Sequence, residues 1–274
     1  MLIDLHTHSI ASDGTEEPAE VMRAAAAAGL DIVGLSDHDT TLGWDEAERA
    51  AAALGLGFVP GVEVSARHKG TSVHLLALWP SRDDPDFAGM LLRTREGRVD
   101  RARKMVALLA EDYSLEWDAV ASKADGAETI GRPHIADALV EAGVVATRDG
   151  AFVDLLGQDS PYYVPHYAPE IAEAVGCVRR AGGVPILAHP AAVGRGFVAS
   201  DGLVESLAGM GLIGIEVDHR DHSEAQRERL AALATRLGLV RTGSSDYHGA
   251  GKLNRLGENL TDPEAFEALR EARG

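Results

Sequence analysis

Residues 2–8 of the chain read Leu-Ile-Asp-Leu-His-Thr-His, an apolar run that ends in two histidines. Leu2–Leu5 fits a short buried strand, and His6 and His8 follow it directly. The two-residue spacing places both imidazoles on the same side of an extended segment. Because imidazole and carboxylate groups bind hard and borderline divalent cations, the end of this strand is a candidate metal site.

Similar apolar runs recur along the chain, and most are followed by acids or histidines. The predicted strands are Leu2–Leu5, Asp31–Ser36, Gly57–Val64, Thr71–Trp79, Val184–Ala188, Gly211–Val217 and Leu239–Gly243. Stretches rich in Ala, Glu and Arg with helical spacing lie between most of them, such as Pro18–Ala28 and Ser223–Leu237. Repeated strand–helix units imply a parallel sheet, and seven of them favour an α/β barrel over an open sheet.

The alternation of strand and helix stops between about residues 81 and 167. Four helical stretches follow one another there: Phe87–Ala110, Trp117–Lys123, Pro133–Ala142 and Thr147–Leu155. We interpret this segment as a small helical insertion after the fourth strand. The predicted domains are a barrel of residues 1–98 and 170–274, and an insertion of residues 99–169 that contributes substrate contacts.

Composition limits the classes of function. The chain has 274 residues and a formal net charge of −17, which argues against stable binding to duplex nucleic acid but permits a phosphorylated substrate. No apolar run approaches the roughly 20 residues of a membrane span, and no basic leader precedes the first strand. With a single cysteine, Cys177, the sequence predicts a cytoplasmic protein without membrane contacts. Nothing in it indicates an oligomeric state.

Candidate metal ligands follow most of the predicted strands. They are His6, His8, His38, Glu63, His189, Asp246 and His248, with Asp13 and His74 added from neighbouring segments. In a barrel of strand–helix units, residues after the strand ends converge on one rim, so we expect these side chains to meet. His74 lies inside the fourth strand, from which an inward-pointing imidazole could still reach the centre. The distribution predicts a multi-metal hydrolase.

Nearby polar residues receive secondary interpretations. Asp4, Asp37 and Asp39 are predicted to orient the ligand imidazoles. His68, His166 and His219 are interpreted as ordinary surface or hydrogen-bonded residues.

Several motifs together resemble the PHP (polymerase and histidinol phosphatase) family. They are Asp4-Leu5-His6-Thr7-His8, Asp13-Gly14, Ser36-Asp37-His38-Asp39-Thr40, Pro60-Gly61-Val62-Glu63, Ala188-His189-Pro190 and Gly243-Ser244-Ser245-Asp246-Tyr247-His248-Gly249. The likeness extends from the first residues to about Gly251. It implies a distorted (β/α)7 barrel with a trinuclear metal centre and phosphoesterase activity.

The resemblance also implies how the ligands divide among three divalent ions. One ion would be held by His6, His8, Glu63 and Asp246, and a second by Asp13, His38 and His248. The third would be held by Glu63, His74 and His189, with Glu63 bridging. Mn²⁺ is the usual occupant in the family, with Fe²⁺ and Zn²⁺ as alternatives, since mixed His and carboxylate ligation does not fix the metal.

Further motifs resemble one subgroup, the nucleoside 3′,5′-bisphosphate phosphatases and related 5′-3′ exoribonucleases. These are Gly131–Ala136, Tyr163–His166, Gly214–Val217 and His222-Ser223, whereas Asp218–Asp221 departs from the expected pattern. The resemblance implies release of the 3′-phosphate from a bisphosphate such as pAp (adenosine 3′,5′-bisphosphate), and action on short 5′-phosphorylated RNA. The partner is thus a small phosphorylated nucleotide or oligonucleotide.

Four side chains are predicted to contact the substrate. The fork of donors on Arg132 suits a phosphate, and Arg132 begins a predicted helix whose N-terminus favours anions. His134 and His222 are candidates for binding substrate or protonating the leaving oxygen. Arg195, in a glycine-flanked loop, is a further candidate phosphate contact.

Three alternatives remain open at this point. One is another phosphomonoesterase, such as histidinol-phosphate phosphatase, against which the Gly131–Ala136 motif argues mildly. A metal-dependent amidohydrolase would often use a bridging lysine, yet Lys69, Lys104, Lys123 and Lys252 all lie away from predicted strand ends. A non-catalytic PHP module is disfavoured by the full set of ligand positions.

Overall fold

Seven strands form one sheet in the computed structural model, which describes residues 1–124, 130–195 and 197–274 apart from the Arg195 side chain. The strands are β1 (Ile3–Thr7), β2 (Ile32–Leu35), β3 (Gly57–His68), β4 (Thr71–Leu78), β5 (Val184–Leu187), β6 (Gly214–Asp218) and β7 (Val240–Gly243). They lie side by side in chain order. All seven were predicted from the apolar runs.

The sheet is parallel except around β4. β4 pairs antiparallel with both β3 and β5, so the prediction of a wholly parallel sheet is wrong there. The physical reason is the connection: only Lys69 and Gly70 separate β3 from β4, with φ of 50° and 85°. Positive φ at both central residues is typical of the tight turn of a β-hairpin, whereas a parallel crossover needs a dozen or more residues.

The sheet curves until its two ends almost meet. Beyond β7, the amide of His8 donates to the carbonyl of Tyr247 (2.8 Å), and the amide of Thr261 donates to the carbonyl of Ile3 (2.9 Å). Thr7 and Tyr247 also form an isolated parallel bridge. The result is a nearly closed, distorted seven-stranded barrel, as predicted.

Helices lie around the barrel and in the segment between β4 and β5. They are α1 (Pro18–Ala27), α2 (Trp44–Leu54), α3 (Pro85–Leu109), α4 (Trp117–Ser122), α5 (Arg132–Glu141), α6 (Arg148–Ala151), α7 (Ile171–Arg180), α8 (Asp201–Gly209), α9 (Glu224–Leu237) and α10 (Pro263–Glu271). A π-helical turn, Phe152–Leu156, follows α6. α8 was not predicted. Among the described residues, no helix is both long and apolar enough to cross a bilayer.

Helices α3 to α6 have a hydrophobic core of their own. It contains buried side chains such as Met105, Leu109, Ile135 and Leu156, separate from the cores that line the barrel. Helix α3 begins on the barrel, where Phe87 and Met90 join the main core, and runs without a break into the second core. The domain boundaries near residues 98 and 170 stay a prediction.

Candidate metal centre

The first group of candidate ligands lies where β1, β3 and the segment after β7 converge. His6 Nε2 is 3.2 Å from Glu63 Oε2 and 3.5 Å from Asp246 Oδ1. His8 Nε2 is 3.1 and 3.4 Å from the same oxygens, and 3.0 Å from His6 Nε2. All four side chains are buried, and each offers a ligand atom within 4.8 Å of the others. This spacing suits one cation.

A second group borders the first on the side of the loop after β1. Its members are His8, Asp13, His38 and His248, which again offer ligand atoms within 4.8 Å of one another. His248 Nε2 lies 3.3 Å from Asp13 Oδ1, and His38 Nε2 lies 3.8 Å from Asp13 Oδ2. His8 therefore faces both groups.

The third group is centred on the other oxygen of Glu63. His74 Nδ1 and His189 Nε2 lie 2.7 and 2.8 Å from Glu63 Oε1. The β3–β4 register explains how a mid-strand histidine reaches the site, because Ser65 lies opposite His74 and Glu63 is two residues from Ser65 on the same face. With this group, all nine predicted ligand residues lie in one cluster.

Electrostatics in the cluster favour bound positive charge. Burial raises the pKa of Glu63, but the imidazoles of His38 and His74 more than offset it and lower that pKa well below its ordinary range. Burial lowers the pKa of His8, whereas the adjacent carboxylates of Asp246 and Glu63 raise it to about 9. The carboxylates are thus held ionised in a buried region, where an unpaired charge is costly.

Hydrogen bonding also leaves acceptor atoms facing one another, as a metal site requires. His248 Nδ1 donates to the carbonyl of Asp246 (2.9 Å), so neutral His248 presents the lone pair of Nε2 to Asp13 Oδ1. His248 Nε2 and Glu63 Oε2 are inaccessible and have no hydrogen-bond partner. Two acceptors in contact repel unless a cation lies between them, and His and carboxylate donors suit Mn²⁺, Fe²⁺ or Zn²⁺. The residues therefore fit divalent cations.

Glu216 is a buried acid beside the cluster that the sequence analysis did not select. Its Oε1 accepts from His6 Nδ1 (2.9 Å) and from Ser244 Oγ (2.6 Å), and its Oε2 accepts from the amide of His189 (2.7 Å). It therefore fixes the orientation of His6, leaving Nε2 to the cluster, and ties β6 to β1 and β5. The signal in the sequence was an acid within an otherwise apolar strand, Gly-Ile-Glu-Val.

The three aspartates predicted to orient imidazoles, Asp4, Asp37 and Asp39, instead accept hydrogen bonds from serines and backbone amides. Asp37 accepts from the amide and hydroxyl of Ser9 (2.8 and 2.7 Å) and from Ser12 Oγ (2.6 Å). Asp4 accepts from the amides of Ser245 (3.1 Å) and Gly257 (3.0 Å). That prediction is wrong: these carboxylates hold the loops that carry the ligands.

Asp39 likewise accepts from Ser65, through its amide and its hydroxyl, both at 2.7 Å. It lies at φ 55°, and His189 and Asp246 have φ of 28° and 54°. Non-glycine residues in this region carry backbone strain, which commonly occurs at functional sites.

Two residues set aside on sequence grounds border the cluster. His219 is fully buried, accepts from the amide of Asp221 through Nδ1 (3.1 Å), and places Nε2 3.7 Å from Asp246 Oδ2. Lys252 Nζ lies 3.0 Å from the same oxygen. His219 directly follows β6, one residue beyond the observed strand and two beyond the predicted one, and Lys252 lies in the loop after β7.

The predicted substrate contacts that the structure describes each hydrogen bond to backbone groups. Arg132 Nη1 donates to the carbonyl of Leu156 (2.9 Å). His134 Nδ1 accepts from the amide of Gly131 (3.0 Å), and burial lowers the pKa of His134. The Arg195 side chain lies outside the described residues.

His222 is held by backbone groups on both sides of its ring. Its Nε2 accepts from the amide of Ala191 (3.1 Å), and its Nδ1 donates to the carbonyl of Val217 (3.0 Å). These hydrogen bonds join the loops after β5 and β6. They suit a residue that positions loops better than one that transfers a proton.

Comparison with known proteins accounts for this arrangement. A family model described as the PHP domain matches residues 4–126. Over 92% of its length the chain is 38% identical to the 3′,5′-nucleoside bisphosphate phosphatase of Chromobacterium violaceum, and the match covers 89% of that protein. The chain belongs to the PHP family.

Two further matches over nearly the whole chain agree with this membership. The chain is 33% identical to the 5′-3′ exoribonuclease of Haemophilus influenzae, over 94% of this chain and 93% of that one. A crystal structure from Bifidobacterium adolescentis, classed as a metal-dependent phosphoesterase, superposes with a TM-score of 0.96 at 41% identity. The superposition covers 99% of this chain and 96% of the Bifidobacterium protein. This PHP protein is therefore an enzyme, a metal-dependent phosphoesterase.

Proposed function

We propose that this enzyme hydrolyses the 3′-phosphate of nucleoside 3′,5′-bisphosphates such as pAp, giving a nucleoside 5′-monophosphate and phosphate. The observation that carries the proposal is 38% identity, over nearly the whole chain, to a phosphatase named for that substrate. We extend it to short 5′-phosphorylated RNA because a second full-length relative is named as a 5′-3′ exoribonuclease. We also propose that the enzyme works in the cytoplasm.

We propose three ions, most simply Mn²⁺, in the three groups of ligands. His6, His8, Glu63 and Asp246 would hold the first, Asp13, His38 and His248 the second, and Glu63, His74 and His189 the third. The spacing of ligand atoms supports the grouping, and His8 and Glu63 each face two groups. When bound, such cations act as Lewis acids on phosphoryl oxygens and lower the pKa of water.

The protein's own side chains would bind and orient the substrate. Arg132 is the proposed phosphate contact from the insertion, and Arg195 a further one from the loop after β5. His134 and His222 are proposed to shape the site, since His134 holds the amide at the start of α5 and His222 holds backbone groups of the loops after β5 and β6. In the overall reaction water attacks phosphorus, the bond from phosphorus to the ribose 3′-oxygen breaks, and that oxygen takes a proton.

A substrate panel tests the activity. Phosphate release is measured with Mn²⁺ present from pAp, nucleoside 3′- and 5′-monophosphates, histidinol phosphate and short 5′-phosphorylated RNA. We expect pAp to have the highest kcat/KM. A panel in which histidinol phosphate is preferred, or in which no phosphate ester is cleaved, contradicts the proposal.

Ligand variants test the assignment of the metal groups. His8→Ala and Asp246→Ala should abolish turnover while the far-ultraviolet circular dichroism stays close to that of the wild type. His68→Ala, at the outer end of β3, is the matched control and should keep its activity. Near-normal turnover in either ligand variant would remove that residue from the centre.

A further inference from the structure

Three arginines and a histidine gather beside the metal groups at the junction of barrel and insertion. Arg98 and Arg101 lie on α3, Arg132 begins α5, and His166 lies in the segment that returns to the barrel. Arg98 and Arg101 are only 7% and 5% exposed. Burial lowers the pKa of Arg101, and the guanidinium groups of Arg132 and Arg98 lower it further, so the cations lie close to one another.

Arg98 connects this basic cluster to the candidate ligands. Its Nε lies 2.9 Å from Asp39 Oδ2, and it also hydrogen bonds to Ser65 Oγ. Ser65 is two residues from Glu63 and pairs with His74 across the β3–β4 hairpin. An anion held by the cluster would thus lie next to the metal groups.

Arg101 lacks the counter-ion that a buried cation requires. Its Nη1 donates to His166 Nδ1 (3.1 Å), its Nε is inaccessible without a hydrogen-bond partner, and no described carboxylate lies within ion-pair distance. The partly buried Arg132 also has no described ion pair: it donates to the carbonyl of Leu156, and its guanidinium lies over the rings of Phe152 and Tyr163. Leaving buried charge uncompensated is strongly unfavourable, so the cluster is arranged for an anion that binds from outside.

Two further donors point to the same place. Because His166 Nδ1 accepts from Arg101, neutral His166 carries its proton on Nε2, which is also inaccessible and without a partner. The ten-residue helix α5 begins beside the cluster, since a methyl group added at Gly131 would lie 3.3 Å from Arg98 Nη1. The N-terminus of a helix favours anions through its free amides and its dipole.

We propose that Arg98, Arg101, Arg132 and His166 form a second phosphate subsite, which binds the phosphate of the substrate that is not cleaved. The inference rests on the proposed function, since a substrate with two phosphates needs one position at the metal groups and another beyond them. Guanidinium groups match phosphate oxygens in charge and geometry. The subsite selects nucleoside bisphosphates over 3′-monophosphates.

Paired substrates test the subsite in the metal-loaded enzyme. Arg101→Met should lower kcat/KM for pAp by about 100-fold, the order expected from losing charged hydrogen bonds. Its kcat/KM for adenosine 3′-monophosphate, which lacks the second phosphate, should stay within about threefold of the wild type. A split between the two substrates distinguishes a phosphate contact from a merely structural residue.

Lys104→Met is the matched control because it removes one positive charge from the exposed face of the same helix. It should leave both substrates unchanged. If Arg101→Met slows both substrates equally, or slows neither, the subsite is wrong. Should Arg101→Met fail to fold, His166→Phe carries the same comparison, because it removes both ring nitrogens and keeps an aromatic ring.

A binding measurement keeps this inference separate from the proposed function. We expect adenosine 5′-monophosphate to raise the Tm of the metal-loaded wild type, with a half-saturating concentration at least about tenfold higher in Arg101→Met. Failure of the wild type to cleave pAp would overturn the proposed function alone. Equal half-saturating concentrations in wild type and Arg101→Met would overturn the subsite whatever the substrate panel shows.

Discussion

At the scale of single residues, the buried acids of this protein divide by what they contact. Glu63 and Asp246 face imidazole nitrogens at the centre, whereas Glu216 contacts the far nitrogen of His6. Asp37 and Asp39 contact serines and hold loops. The acids differ in position rather than in chemistry, and position decides which of them can bind a cation.

We predict that Glu216→Gln weakens metal binding by roughly 10- to 100-fold, the usual cost of losing a residue that orients a ligand. The amide cannot accept from both His6 Nδ1 and Ser244 Oγ with the strength of a carboxylate. The Kd for Mn²⁺ is measured by titration calorimetry. Glu205→Gln, at an exposed ion pair on α8, is the control. Equal Kd values for Glu216→Gln and the wild type would contradict the role.

We predict that His166 makes stability fall as the solution becomes acidic. Burial and the guanidinium of Arg101 lower the pKa of His166 to about 2, so between pH 6.5 and 2 the unfolded chain takes up a proton that the folded chain does not. Unfolding is thereby favoured as pH falls below about 6.5, by at most about 1.4 kcal/mol per pH unit. The free energy of unfolding, measured with urea at pH 7.5 and 5.5, should fall less between these pH values in His166→Phe than in the wild type. An equal fall in both proteins would contradict the role of His166.

At the scale of elements, close contact between β1 and β2 sets the distance between ligands on the two strands. Gly34 of β2 lies at this contact, and a methyl group added to it would lie 2.5 Å from the carbonyl oxygen of Leu5. His6 and His8 follow Leu5, and His38 follows β2. A side chain at Gly34 would therefore push the strands, and with them the ligands, apart.

We predict that Gly34→Ala destabilises the protein by about 2 kcal/mol or more, because the clash is with backbone that cannot turn aside. The free energy of unfolding is measured with urea, and bound metal by elemental analysis, which should also decrease. Gly202→Ala on α8 is the control, since a methyl group there meets nothing within 4 Å. Unchanged stability in Gly34→Ala would show that the strands can separate without cost.

At the scale of the whole molecule, the candidate metal centre joins the two ends of the chain. Its residues run from His6 in β1, at one edge of the curved sheet, to His248 after β7, at the other edge. Without cations, the buried carboxylates and imidazoles must compensate one another alone. Bound ions would act as cross-links present only in the folded state.

We predict that removing the metals lowers the Tm by on the order of 10 °C. Ions held at about 1,000 times their Kd contribute about 4 kcal/mol, and each kcal/mol shifts the Tm of a chain of this size by a few degrees. Differential scanning calorimetry before and after chelation measures the shift, and added Mn²⁺ should restore it. An unchanged Tm in protein shown to be metal-free would contradict the cross-linking role.

Much of the fold and of the candidate site could be predicted from the sequence because both depend on local patterns. Runs of four to nine residues, mostly apolar, indicated all seven strands, and the rule that strand ends converge brought His6, His38 and His189 together. His74 was a candidate although it lies inside the fourth predicted strand, and only the antiparallel register with Ser65 explains how it reaches the other ligands. The hairpin at Lys69 and Gly70 was missed because a two-residue turn leaves little signal beyond one glycine.

The chain by itself determined which chemical groups the centre contains, since these sit at strand ends in recognisable motifs. Only the tertiary structure decided the neighbours of those groups. Glu216, His219 and Lys252 border the ligands from β6 and the loops beyond it, Arg101 and His166 meet from α3 and the segment before α7, and in isolation each resembles an ordinary polar residue. The physical reason is that charge compensation and burial are properties of groups in space, and residues distant in the chain become one another's environment only when it folds.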